Sequence, residues 1–361
     1  MEECLDYYKK LKEVLKSKEC LIKNEIERDR YEKELKFLRL EDNYKQAETL
    51  YIYYLLNEFA KENNEVCYFG GNISALYLSY MLGITPYNPV EHRLYPEILL
   101  SIDAKKPIIS NFICSNVFRE KCISFLKEVL IDKRIFKVDF KSQRDYYIAI
   151  IDKCANLDDE KYGLYIDGDY VRQRNNSDYI LNLLLSFTCS YMMFSTDEYI
   201  EYLSINTKAD FYPGLTELVN SFNILKQSNK LDLVDSKMNY FNGDKYLTLQ
   251  EISKLWCKGN VYYKNPEKAL HLVIYREQLL DEFLECNVPP EVSYFVMDEI
   301  RKGKFVNEFR DYLKQFNLSE LFISDCENIK YLYSMAAVLT ILTPILYKAY
   351  YECYRLGYFA N

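Results

Sequence analysis

Two stretches of this 361-residue chain carry residues whose types and spacing suit chemistry on phosphate, and a few acids invite a metal reading. Gly70-Gly71-Asn72 follows the β-prone run Glu65-Val66-Cys67-Tyr68-Phe69 and precedes a helical pattern from Ile73 to Leu82 that Gly83 closes. A strand, a glycine turn and a helix N-terminus together aim backbone N–H groups at one point, which is how proteins hold phosphate. The same spelling fits an ordinary tight turn with Asn72 as N-cap. Arg301-Lys302-Gly303-Lys304 closes another helical pattern, and Lys330 follows in Ile329-Lys330-Tyr331. Such cations either meet a polynucleotide or simply complement the negative end of a helix dipole. Asp167-Gly168-Asp169 lacks the recurring oxygen ligands of a calcium loop and reads as a hairpin turn.

Other chemistries are excluded by composition. The eleven cysteines form no C-x-x-C pair, and His92 and His271 are the only imidazoles, so no zinc site is expected. Scattered unpaired cysteines suit a reducing cytosol, and a cytoplasmic protein is expected. A formal net charge of -8 argues against an autonomous, strongly electrostatic DNA binder and leaves room only for local basic patches. The N-terminus is charged throughout and carries no secretory signal. A long uncharged run, Tyr331 to Tyr347, contains Pro344 and falls short of the roughly 20 residues that a membrane helix needs, so it reads as a buried helix.

The elements that must position these residues follow from periodicity. Residues 2–19, 22–38 and 44–62 read as helices, the first with Leu5, Tyr8, Leu11 and Leu15 as its apolar stripe. Strands are expected near 65–69, 107–113, 135–140 and 229–234, in one sheet. A hairpin spans Tyr165 to Tyr170, and Tyr179 to Phe194 reads as a buried helix. A helix starts around Leu247 to Glu251. Beyond it, Pro289-Pro290 opens a helix with Val292, Phe295, Val296 and Ile300 on one face, and Gly303 stops it in the αL conformation. A second helix carries Phe309, Leu313 and Phe316, and a third starts near Ser319.

The stretch from Tyr275 to Phe359 resembles the fingers region of bacterial C-family replicative DNA polymerases, the PolC type of polymerase III alpha subunit in particular. Where that family reads V-R-K-G-K-G and then C-K-K-I-K-Y-M-F-P-K-A-H-A-A-A-Y, this chain offers IRKGKF at 300–305 and CENIKYLYSMAAVLTI at 326–341. Arg30 to Leu35 is similar to the family's R-L-E-K-E-L. The run FGGNISALYLSYMLGITPYNPVEH is similar to a family segment that begins S-R-G-S, and Gly83-Ile84-Thr85, Asn88-Pro89 and His92 match in order and spacing. The resemblance covers roughly residues 27–140 and 225–359.

The resemblance implies a helix-rich α+β fold: a polymerase-like palm with a small mixed sheet, and an all-helical fingers subdomain. Three regions are expected, an N-terminal helical segment at 1–64, a palm-like domain at 65–245 and a fingers-like domain at 246–361. By the same resemblance Gly70, Gly71 and Asn72 stand at the nucleotide-binding turn, though the family's Arg and Ser there are Gly70 and Asn72. Arg301, Lys302, Lys304 and Lys330 stand at surviving DNA-binding positions. The two metal-binding acids of P-D-I-D-x-N-F are replaced by Ile108, Ile109 and Ser110. Asp232, in Lys230-Leu231-Asp232-Leu233-Val234, matches the third palm carboxylate and is the one surviving catalytic candidate. Ser334-Met335-Ala336-Ala337 replaces the family's P-K-A-H. Scaffold kept and site residues lost imply a non-catalytic relative that binds DNA or a replisome protein, with no cofactor and no metal. Two alternatives stand beside it. One is an active minimal polymerase or nucleotidyltransferase using Mg2+, with Asp103, Asp139 or Asp169 joining Asp232. The other is a structural or regulatory protein of a mobile element that inherited the fold.

Overall fold

A computed structural model describes residues 2–40, 43–63, 65, 67–100, 111–114, 116–139, 146–152, 164–168, 170–173, 184–189, 249–340 and 342. The chain divides into two units, Met1–Val90 with Asp103–Lys208, and Glu91–Ile102 with Ala209–Asn361.

In the first unit, α1 (Glu2–Ser17), α2 (Glu25–Leu38) and α3 (Tyr44–Glu62) fall where the apolar stripes place them. Tyr8, Leu11 and Leu15 are buried as α1 lies along α3. Asn24 caps α2 by accepting from the Glu27 N–H at 2.9 Å. After β1 (Tyr68–Gly70), the chain makes a short 3-10 turn at Asn72–Ala75 and then α4 (Tyr77–Met81). β2 (Asn111–Cys114), α5 (Asn116–Val129), β3 (Lys133–Asp139), β4 (Tyr146–Asp152), β5 (Leu164–Asp167), β6 (Tyr170–Gln173) and β7 (Leu184–Cys189) complete the unit. The strands form one seven-stranded mixed sheet in the order β1-β2-β7-β4-β3-β6-β5. Three of the four expected strand segments lie in it, and 229–234 falls outside the described residues. The expected hairpin is present as antiparallel β5 and β6, with Gly168 at φ +59°.

Two expectations need correction here. The run 179–194, read as a buried helix, contains β7, which pairs parallel with β2 and antiparallel with β4. A strand bonded on both sides has the same unbroken apolar spelling as a buried helix, and periodicity alone does not separate them. The helix expected over 73–82 is split, and Asn72 lies inside the 3-10 turn rather than capping an α-helix; the α4 N-cap position is Leu76.

In the second unit, α6 (Leu249–Asn260), β8 (Tyr262–Tyr263), α7 (Arg276–Glu285), α8 (Pro290–Ile300), α9 (Asn307–Leu313), α10 (Glu320–Asn328) and β9 (Ile329–Tyr331) precede a helix that starts at 335. Leu279, Phe283, Val296, Ile300, Phe322 and Ile329 centre its core. Pro290 sits in the first turn of α8, and Ser319 caps α10 by accepting from the Phe322 N–H at 3.1 Å. The unit is not all helical: β8 and β9 form a two-stranded antiparallel ribbon. Phe295 is 55% exposed instead of lining the core, because a stripe centred on Val296 and Ile300 turns its neighbour about 100° away. Met335, Ala336, Val338 and Leu339 are buried, as expected of the uncharged run. Among the described residues no helix is long and apolar enough to cross a membrane.

Candidate nucleic-acid interface

The glycine turn of the first unit sits at a sheet edge. Gly70 pairs with Asn111, so this turn and the start of β2, directly after Ile108-Ile109-Ser110, lie side by side. Gly71 has φ +89° and ψ -156°, a conformation open essentially only to glycine. The helix N-terminus that follows is already satisfied from within. Glu34 of α2 accepts from the backbone N–H groups of Tyr77 and Leu78, both at 3.0 Å, and pairs with the Arg30 Nε at 2.6 Å. Arg30 also donates to the Ala75 carbonyl at 2.7 Å. Glu27, two turns earlier, accepts from Asn88 Nδ2 at 2.9 Å and from the Tyr77 hydroxyl at 3.0 Å. Burial pushes the Glu34 carboxyl up against the pull of Arg30 and the two N–H groups. Arg30, Glu34 and Asn88, all within the family resemblance, therefore hold the scaffold around the turn.

Metal chemistry is poorly served by this donor set. Two-metal catalysis needs shared carboxylate oxygens, and Ile108, Ile109 and Ser110 offer two hydrocarbon chains and a hydroxyl. The same sheet carries Asp139, level with Phe112 but three strand spacings away, roughly 14 Å. Asp103, Asp169 and Asp232 lie outside the described residues. Among the described residues no three metal-ligating side chains converge.

The basic turn of the second unit is built by a Schellman closure of α8. The Gly303 N–H donates to the Ile300 carbonyl at 2.8 Å and the Lys304 N–H to the Glu299 carbonyl at 2.9 Å, with Gly303 at φ +73°. Glycine is required twice over, because a Cβ at 303 would also sit 2.9 Å from the Lys330 carbonyl oxygen. The Leu332 N–H donates to the Arg301 carbonyl at 3.3 Å, tying the turn to the chain just beyond β9. Arg301, Lys302, Lys304 and Lys330, 26 or more residues apart in part, thus come from two segments in direct backbone contact.

Their charges are not equally available. Asp298 accepts from Arg301 Nε at 2.5 Å and from the Lys302 ammonium, which also reaches Glu299 at 3.2 Å. Lys304 and Lys330 are exposed, with no ion pair among the described residues.

Beneath the turn lie residues that sequence reasoning missed. Arg276 is 7% exposed. Its backbone N–H donates to the Tyr333 carbonyl and its Nε to the Leu332 carbonyl, both at 3.0 Å. Burial, and next the Arg301 guanidinium, hold it below the usual arginine range. Glu277 accepts from the Met335 and Ala336 N–H groups at 2.7 and 3.1 Å, filling the N-terminus of the helix that starts at 335 as Glu34 fills that of α4. Asp325 accepts three backbone N–H groups from Leu270, Leu272 and Val273. An acid in a first helical turn, as Glu277 is, reads from sequence as a solvated dipole partner, and only the fold reveals it as a buried acceptor.

No protein-family model matches the chain. Parts of it are similar to proteins named DNA polymerase III PolC-type. That of Clostridium perfringens (strain 13 / Type A) is 29% identical over 90 residues, 23% of this chain and 6% of the relative. Those of Pediococcus pentosaceus and Ureaplasma parvum serovar 3 are each 26% identical, over 128 and 137 residues, covering 32% and 36% of this chain and 9% of each relative. The chain carries a segment related to a DNA polymerase. The matched segments span less than a tenth of each PolC-type relative's own length.

Proposed function

We propose that this is a non-catalytic, PolC-related protein of the cytoplasm that keeps a palm and fingers scaffold and binds DNA, alone or beside a replication partner, through its basic turn. The observation that carries the reading is the seating of Arg301-Lys302-Gly303-Lys304 against Lys330, which gathers four cations on a chain whose net charge is -8. Helix capping alone explains cations at the end of α8 but not the fourth, on a separate strand. Phosphate contacts release counterions, so affinity should fall steeply with salt, and each removed cation should lower that slope by about one unit. The test is fluorescence anisotropy with primed and single-stranded DNA across a salt series, comparing the wild type with Arg301→Ala/Lys302→Ala/Lys304→Ala. Salt-insensitive or absent binding in both proteins leaves a protein partner as the better reading.

A further inference from the structure

We propose that Tyr262 is a stacking platform for an unpaired base of single-stranded DNA. This deepens the DNA-binding reading and rests on it. Among the described residues, Tyr170, Tyr262 and Phe295 are the exposed Tyr, Phe or Trp side chains. Of these, Tyr262 alone lies opposite a residue next to a cation of the basic turn: it pairs across the ribbon with Tyr331, adjacent to Lys330.

The ring is held in place. Tyr262 meets Tyr331 edge to face at 6.4 Å, Tyr331 meets Tyr333 at 5.1 Å, and Tyr333 meets Trp256 at 4.9 Å, with interplanar angles of 63°, 85° and 80°. This ladder runs from a tyrosine that is 48% exposed to a tryptophan that is 8% exposed, so the outer residue is braced by the core while about half of it stays open to solvent. Edge-to-face geometry suits such bracing, since it sets the positive rim of one ring against the negative face of the next. An exposed ring on a ribbon whose facing strand carries the unpaired ammonium of Lys330 is a combination that binds single strands without reading sequence, stacking a base while cations follow the phosphates. In a duplex the bases are already stacked and the face has nothing to take.

The ladder shifts by one residue between Tyr262 and Tyr263, which leaves Lys330 as the extra residue of a bulge between Ile329 and Tyr331. The ring and the charge are thus carried by different residues of one short ribbon. Stacking and ion release then report independently, and only the second depends on salt.

The test uses the full chain and three labelled ligands: an oligodeoxyadenylate, an abasic deoxyribose-phosphate strand of the same length, and a duplex. Wild type should prefer the base-bearing strand over the abasic one by roughly 5- to 150-fold, the range that one stacked base supplies. Tyr262→Ala and Tyr262→Leu should abolish that preference while leaving the salt slope unchanged. Tyr262→Trp should retain it. The leucine variant keeps apolar bulk without a π-face, so its loss cannot be assigned to unfolding if its thermal melt matches wild type. Equal wild-type affinity for base-bearing and abasic strands, or a preference that survives in the leucine variant, overturns this inference and leaves the basic-turn reading intact. Absence of binding to every ligand overturns that reading itself.

Discussion

Asp298 decides how much of the basic turn a phosphate can use. Burial alone would raise its carboxyl, but hydrogen bonds from Lys302 and Arg301 bring it below the usual aspartate range, so it stays charged well into mild acid. It occupies those two cations much as a phosphate oxygen would. Asp298→Asn should therefore strengthen single-stranded DNA binding by about fivefold at low salt, the worth of one partly exposed ion pair. It should also steepen the salt dependence, because more cations displace counterions. An unchanged slope in an anisotropy titration would show that Asp298 does not compete. At this scale the sequence was informative where glycine and charge coincide, as at Gly303. It was silent on Arg276 and Glu277, because burial of a charged side chain is decided by distant segments.

The recurring device at the scale of elements is a buried carboxylate from one helix filling the N-terminus of another: Glu34 on α4, and Glu277 on the helix that starts at 335. Burial pushes the Glu277 carboxyl above its usual range, against the pull of the two N–H groups. The folded state therefore holds the proton more tightly than the unfolded chain. The stability this contributes is fully present below the unfolded value near 4.5 and is lost as pH rises through the raised folded value. Glu277→Gln should cost about 1–3 kcal/mol at low pH, since one carboxamide oxygen must serve two donors. It should also flatten the pH dependence, so that wild type loses ground to the variant as pH rises. Urea midpoints of both proteins measured across that range check this, and parallel curves would refute it. Helices α1 to α3, α8 and α10 were legible from period and caps. β7 was not, because an apolar run shared between two neighbouring strands carries no period, and the β8–β9 ribbon is too short to have one.

For the whole molecule, the sheet places the glycine turn beside the start of β2, so resemblance in order becomes adjacency in space. On the family resemblance, Ile108, Ile109 and Ser110, just before β2 in the sequence, stand where a polymerase carries its metal acids. The protein should accordingly fail to extend a primed template with magnesium or manganese while still retaining it in a binding assay. Template-dependent incorporation that disappears in Asp232→Ala would restore the catalytic alternative. The mixed α+β character was legible through the family resemblance, which implied a sheet beside helices. The seven-strand order was not, since strand neighbours such as β2 and β7 lie far apart in the chain.

The contact between Gly303 and Lys330 also makes the stretch from Phe305 to Asn328 a closed excursion, leaving and rejoining the body at one spot. Its middle is anchored too, because Leu313 and Phe322 are buried in the core of the unit and Asp325 holds the backbone from Leu270 to Val273. A nick at the exposed Asn317 would therefore leave two new termini, each gripped on its own side, one by Leu313 and the other by Phe322.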